Sequence, residues 1–188
     1  MRILSEQLEK GINCVETSSL GRVFDAVAAM LSLGSYNHFD AQLPMILEAI
    51  AAEDVEQHYD FDLTSGAGVP AQLDLSRMFR QLLADLRGGQ DRSVISAKFH
   101  NTLAAALLAM AKAARDNAGL NDVALSGGVF CNRYLANHLI KLLKDASFCV
   151  LFNRDVPSND GGISVGQAAV AVRLVGGEPS LLPQEIHR

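Results

Sequence analysis

Apolar residues recur at helical spacing between Arg22 and Leu33, where Val23, Val27, Met30 and Leu31 fall on one face. Gly34 is placed to cap the C-terminus of that helix, and Ser18 and Ser19 to cap its start. A second helix is expected over residues 42–53, with Pro44 in its first turn, where a missing amide would have no partner anyway. Residues 59–63 (YDFDL) alternate apolar and acidic positions, the period of a short strand, and the following TSGAGVP reads as a loop. Helices are expected at about 73–87 and 92–117. The latter is apolar around much of its circumference but interrupted by Lys98, His100, Lys112 and Arg115, which marks a buried helix and not a membrane span.

The pattern then changes. Asp122–Leu125 reads as a strand, Ser126-Gly127-Gly128 as a tight turn and residues 129–144 as a helix. Residues 148–153 form a second apolar strand, PSNDGG a turn and residues 163–175 a last helix. Strand–helix–strand–helix predicts a parallel pair joined by a right-handed crossover. The 188 residues thus divide into a mainly helical segment (13–117), a strand–helix segment (118–176) and a loose tail (177–188), together one α/β, helix-rich lobe.

Composition narrows the classes. With 49% apolar residues the chain can bury a sizeable core, and its net charge of −5 with scattered basic residues argues against a nucleic-acid surface. Cys14, Cys131 and Cys149 are odd in number and show no CxxC spacing, so neither a disulfide framework nor a four-cysteine zinc site is expected. Residues 1–11 lack the regions of a signal peptide, and the compartment expected is the reducing cytosol.

Four local patterns could carry chemistry. In Ser126-Gly127-Gly128-Val129 the glycines let backbone amides approach a ligand, and the positive end of the following helix aims at the same place. The alternative is a strand–helix turn that simply needs glycine. Asn132, four residues past Gly128, faces back toward the turn with an amide that donates and accepts. Asn159-Asp160-Gly161-Gly162 is either an Asx turn capped by Asp160 or a carboxylate placed for a hard cation or a metal-bound phosphate. Asp25, one turn into the first helix, is either a solvated acid near a helix start or an acceptor for ribose hydroxyls. His38, His58, His100, His138 and His187 share no helix face pairwise and read as surface or capping residues; Cys131 reads as a buried bystander.

Taken together and in order, SSLGRVFDAVAAMLSL, FHNTLAAALLAMA, ALSGGVFCNRYL and VPSNDGGISVGQAA resemble the C-terminal segment of HypF, over nearly the whole chain from Asn13 to Ala171. HypF shares this segment with the TsaD-type threonylcarbamoyltransferases. The resemblance implies one lobe of an actin/hexokinase/Hsp70-type, RNase H-like ATPase fold, incomplete here. It also implies that ATP or carbamoyl-adenylate is held by Asp25, Asn132, Gln42, Glu48 and the turn Ser126, Gly127, Gly128 and Val129, and that Asp160 is ligand to a divalent metal. The implied reaction activates a carbamoyl group with ATP and passes it to the C-terminal cysteine of a HypE-like acceptor, for the cyanide ligands of [NiFe]-hydrogenase.

Two departures stand out. The upstream HxxxH pair that supplies the family's other metal ligands has no match, and the family's YEGQAAMELE appears as FDAQLPMILE, with Ala41 where the family has glycine. The acylphosphatase, zinc-finger and YrdC-like portions of HypF are likewise without a match. No catalytic residue is therefore expected in the chain, and two further readings stand beside a carbamoyltransferase lobe: a non-catalytic, truncated nucleotide- or protein-binding module, and a TsaD-like fragment acting on tRNA. The expected partners are a complementary HypF lobe, the HypE-like acceptor, or a second copy covering the apolar face a missing lobe would leave.

Overall fold

The structure is a computed structural model, and it describes residues 2–66 and 69–176. Its elements are α1 (Arg2–Lys10), α2 (Leu20–Met30), α3 (Gln42–Ala49), β1 (Asp62–Gly66), β2 (Val69–Asp74), α4 (Ser76–Arg87), α5 (Arg92–Ala118), β3 (Asp122–Leu125), α6 (Arg133–Asp145), β4 (Cys149–Phe152) and α7 (Ile163–Leu174). Short 3-10 turns cover Gly128–Cys131 and Asp160–Gly162. The helix-rich α/β expectation holds, and β3 and β4 pair in parallel across α6, with Leu125 opposite Phe152.

The long α5 organises the core. Ile95 through Leu103 are almost continuously buried, and Phe99, Ile95 and Leu103 are fully enclosed in a core shared with Phe24 of α2, Leu31 just after it, Leu47 of α3, Met78 and Leu82 of α4 and Leu135 and Leu139 of α6. By length and composition α5 could cross a bilayer, yet 56% of its most apolar window is buried within the fold, as a helix apolar on all sides requires. Its ends are fixed locally. Asp91 accepts the Ser93 amide at 2.8 Å at the N-terminus, and Gly119 takes the left-handed conformation at φ 68° after the C-terminus. Polar groups on α5 tie down the segment before β1: the Tyr59 amide donates to Thr102 Oγ1 at 2.9 Å and Asn101 Nδ2 to the Val55 carbonyl at 2.6 Å.

Several expectations are corrected. Of the stretch read as a loop after residue 63, residues 64–66 and 69–70 belong to the strands of a β-hairpin in which Leu63 pairs with Leu73, so the next helix starts at Ser76 and not near residue 73. Residues 2–10 are helical although no helix was expected there. The helix expected over 42–53 stops at Ala49, and Val55 and Gln57 instead give their carbonyls to Asn101. Gly34 does not cap α2, which ends at Met30; a Cβ on Gly34 would come within 2.5 Å of Leu43 Cδ2, so this glycine lets α3 pack closely. The expected loose tail lies outside the described residues.

Candidate functional site

The two glycine turns meet. The Gly127 amide donates to the Ser158 carbonyl at 2.7 Å, which ties the end of β3 to the loop after β4. Gly127 sits at φ 109°, ψ 158°, a conformation essentially confined to glycine. The turn opens on a cleft of about 900 Å³ lined by Ser126, Gly128, Val129, Asn132 and Asn159, and faced from α2 and α3 by Arg22, Phe24, Ala41 and Glu48.

The expected helix beginning at residue 129 is divided in two, and this changes the electrostatics. A 3-10 turn occupies Gly128–Cys131, and α6 starts only at Arg133 with Asn132 as its N-cap. Asn132 Oδ1 accepts the Leu135 amide at 2.8 Å, while Glu48 Oε1 accepts the amides of Arg133 at 2.7 Å and Tyr134 at 3.2 Å. The positive end of α6 is thus already neutralised from within the chain by a carboxylate on α3. The backbone donors that remain are the amides of Gly128 and Val129, which find no acceptor among the described residues.

Of the expected nucleotide contacts, Ser126, Gly128, Val129, Asn132 and Glu48 line the cleft, and Gly127 shapes its floor through the bond to Ser158. Asp25 and Gln42 do not line it. Asp25 pairs with Arg22 at 2.7 Å and accepts from Asn37 Nδ2 at 3.3 Å, while Gln42 Oε1 accepts the His38 amide at 2.8 Å. Ala41, where the family has glycine, does line it, and it holds a left-handed φ of 57°. That conformation costs an alanine roughly 1 kcal/mol relative to glycine.

The Asx turn belongs to Asn159, whose Oδ1 accepts the Gly161 amide at 3.0 Å, and Asp160 is left exposed. Among the described residues no three histidine, cysteine, aspartate or glutamate side chains gather as a metal would require. Asp160 alone does not fit a metal site, and no chemistry is assigned to one.

Sequence reasoning missed two residues. Cys131 is not a buried bystander: it is exposed, lines the cleft and lies 3.7 Å from Ser158 Oγ. His100, read as a surface or capping residue, is fully buried, and its ring packs against Phe24, Phe99 and Tyr134. The signal for it was the position, in the apolar run of a helix buried all round.

Burial pushes the His100 imidazole down to about 4, with the hydrogen bond to Ser96 acting the other way, and His138 is lowered from its ordinary value for the same first reason. An unfolded histidine binds its proton near 6.5, so as pH falls from about 6.5 toward 4 unfolding takes up protons and stability drops. Urea melts at pH 7, 5.5 and 4.5 are expected to show this acid loss, and to show a smaller one in His100→Gln. Equal pH slopes in the two proteins would refute the assignment.

A profile of the family described as "Carbamoyltransferase, Kae1-like Domain, second subdomain" matches residues 1–167. The chain belongs to this family. Within it, the similarity is to HypF proteins. Over 161 residues it is 34% identical to the carbamoyltransferase HypF of Synechocystis sp., covering 84% of this chain and 20% of that protein. With the carbamoyltransferase HypF of Rhodobacter capsulatus it shares 37% over 172 residues, 90% of this chain and 22% of that one. The crystal structure of full-length HypF in a phosphate- and nucleotide-bound form superposes with a TM-score of 0.84 at 40% identity, covering 94% of this chain and 23% of that one. The HypF structure from T. kodakarensis gives 0.75 at 28% identity, covering 92% and 22%. The chain therefore spans about a fifth of the length of these relatives.

Proposed function

We propose that the chain is the nucleotide-binding lobe of a HypF-type carbamoyltransferase, one part of an actin/hexokinase/Hsp70-type ATPase, acting in the cytoplasm in hydrogenase maturation. The observation that carries this reading is the bond between the two glycine turns, which sets the free amides of Gly128 and Val129 beside Asn132 in one cleft. Two adjacent backbone donors suit a phosphate oxygen, and the amide of Asn132 suits a ribose hydroxyl. The nucleotide-bound form of the full-length HypF relative fits the same use of this fold.

Chemistry on ATP and carbamoyl-adenylate needs more than this floor. Charge developing on a transferring phosphate must be met by groups fixed on both sides of it. The described residues supply one wall, without a metal-binding cluster. The isolated chain binds nucleotide weakly and transfers no carbamoyl group. A second set of observations indicates where the rest attaches. No residue of α7 is buried, and Ile163, Val170, Leu174 and Val175 stand exposed near Leu151 and Phe152 of β4 in sequence. Apolar surface of this kind is normally covered. The complementary lobe of a HypF-type protein covers it, a second copy substitutes when that lobe is absent, and the HypE-like acceptor docks on the completed enzyme.

The test is calorimetric titration with ATP and Mg²⁺, with an assay of carbamoyl-phosphate-dependent ATP cleavage. A saturable heat without cleavage is expected. No saturable heat at millimolar ATP would overturn the nucleotide reading, and cleavage by the 188-residue chain would overturn its dependence on a second lobe.

A further inference from the structure

Asn132 faces the cleft, but its amide is also spoken for from behind. Nδ2 lies 2.9 Å from His100 Nε2, and Oδ1 is taken by the Leu135 amide. On the far side of the ring, His100 Nδ1 lies 2.8 Å from the Ser96 carbonyl, which can only accept. The imidazole proton therefore sits on Nδ1, and Nε2 offers its lone pair to Asn132. Separately, the Ser96 side-chain Oγ lies 3.4 Å from His100 Nδ1 and donates to the Leu47 carbonyl at 2.6 Å, so Ser96 holds the ring through its own carbonyl and ties this turn of α5 to α3. Turning the Asn132 amide over would set its oxygen against the Nε2 lone pair and its NH₂ against the Leu135 N–H, so a single orientation satisfies both ends.

We propose that His100 is a positioning residue: from behind the cleft wall it fixes the Asn132 amide so that one N–H and one oxygen lone pair point into the cleft. This rests on the nucleotide reading of the cleft, in which Asn132 meets a ribose hydroxyl that accepts and donates at once, and adds the residue that sets the orientation of its amide. The ring cannot reach a ligand itself. It is enclosed by Phe24 of α2, by Phe99 of its own helix and by Tyr134 of α6, the one titratable ring packed against it among the described residues. A neutral ring is needed for this role, and burial supplies it.

The experiment uses the 188-residue chain with selective ¹⁵N labelling of asparagine. In the native protein the Asn132 side-chain NH₂ is expected as a resolved pair of signals that exchange slowly with water. His100→Leu removes the acceptor and should collapse that pair and weaken ATP binding about tenfold, the factor that corresponds to one ordinary hydrogen bond. His100→Gln can accept through its amide oxygen and should keep the pair and hold ATP affinity within about threefold. A purely structural histidine would not be rescued this way. If His100→Leu does not fold, Asn132→Asp decides the matter, because aspartate keeps the N-cap and sets a carboxylate against Nε2. The His100 titration followed by NMR should then move up from about 4. An unchanged Asn132 pair in His100→Leu, or an unchanged His100 titration in Asn132→Asp, would overturn the proposal. Absence of ATP binding in the native chain would instead strike the nucleotide reading, and the Asn132 signals would still test His100.

Discussion

Replacing Phe99 by alanine is expected to lower the stability of the chain by about 3–5 kcal/mol, enough to leave much of it unfolded. Phe99 is fully buried in the N-terminal third of α5, where helices from both halves of the chain converge. Its ring meets Phe24 edge-on, with centroids 4.9 Å apart, and that contact joins α2 to α5 directly behind the cleft. Such a pair is worth roughly 0.5–1.5 kcal/mol beyond the area it buries. The cavity left by truncation is walled by residues of several helices, each held by further contacts, so collapse recovers little. Urea denaturation followed by circular dichroism should show the midpoint fall steeply or the transition vanish. Tyr36→Ala serves as the control, since Tyr36 is 72% exposed and its loss should stay within about 0.5 kcal/mol. A Phe99→Ala protein as stable as the control would mean that α5 is not the organising core.

The helices that pack on one face were legible because burial writes a periodic pattern. The run from Val23 to Leu31 announced α2, and the nearly unbroken apolar stretch in α5 announced a helix buried all round. The hairpin was only partly legible: the strand expected over 59–63 overlaps β1 at Asp62 and Leu63 alone, because DLTSG and VPAQLD are rich in turn formers and owe their pairing to cross-strand hydrogen bonds. α1 was missed for a different reason: Ile3, Leu4 and Leu8 stand exposed, so nothing in this fold asks for their spacing. Likewise the sequence marked Asn132 and Glu48 as ligand contacts but could not show that their oxygens already cap α6. A residue type tells what it can bond; only the packing of α3 on α6 tells what it does bond. The burial of His100 belongs to the same class, because an imidazole in an apolar run reads as an interruption until its two nitrogens are seen to have partners on different helices.

Gly127→Ala is expected to cost about 1–3 kcal/mol of stability and, more tellingly, to weaken nucleotide binding at least tenfold. A Cβ at this position would meet nothing within 4 Å, so the penalty does not come from a clash. It comes from the backbone: φ 109° with ψ 158° is open to glycine and strained for any residue with a side chain. The chain can relieve that strain only by rotating the peptide, and rotation moves the Gly127 amide off the Ser158 carbonyl 2.7 Å away. Once that bond is lost, the loop after β4 is no longer held beside the end of β3, and the amides of Gly128 and Val129 lose their fixed aim. Gly128→Ala is the discriminating companion. Gly128 needs no left-handed φ, and its Cβ would lie 3.8 Å from the Asn159 Cβ, an ordinary contact, so the fold should tolerate it. Hydrogen exchange at the Gly127 amide, urea melts and ATP titration on both variants separate the two effects. Gly127→Ala should speed exchange, lower the midpoint and weaken binding together, while Gly128→Ala keeps both protection and stability. If Gly127→Ala retains a slowly exchanging amide and full affinity for ATP, the bond between the two turns is not what shapes the cleft.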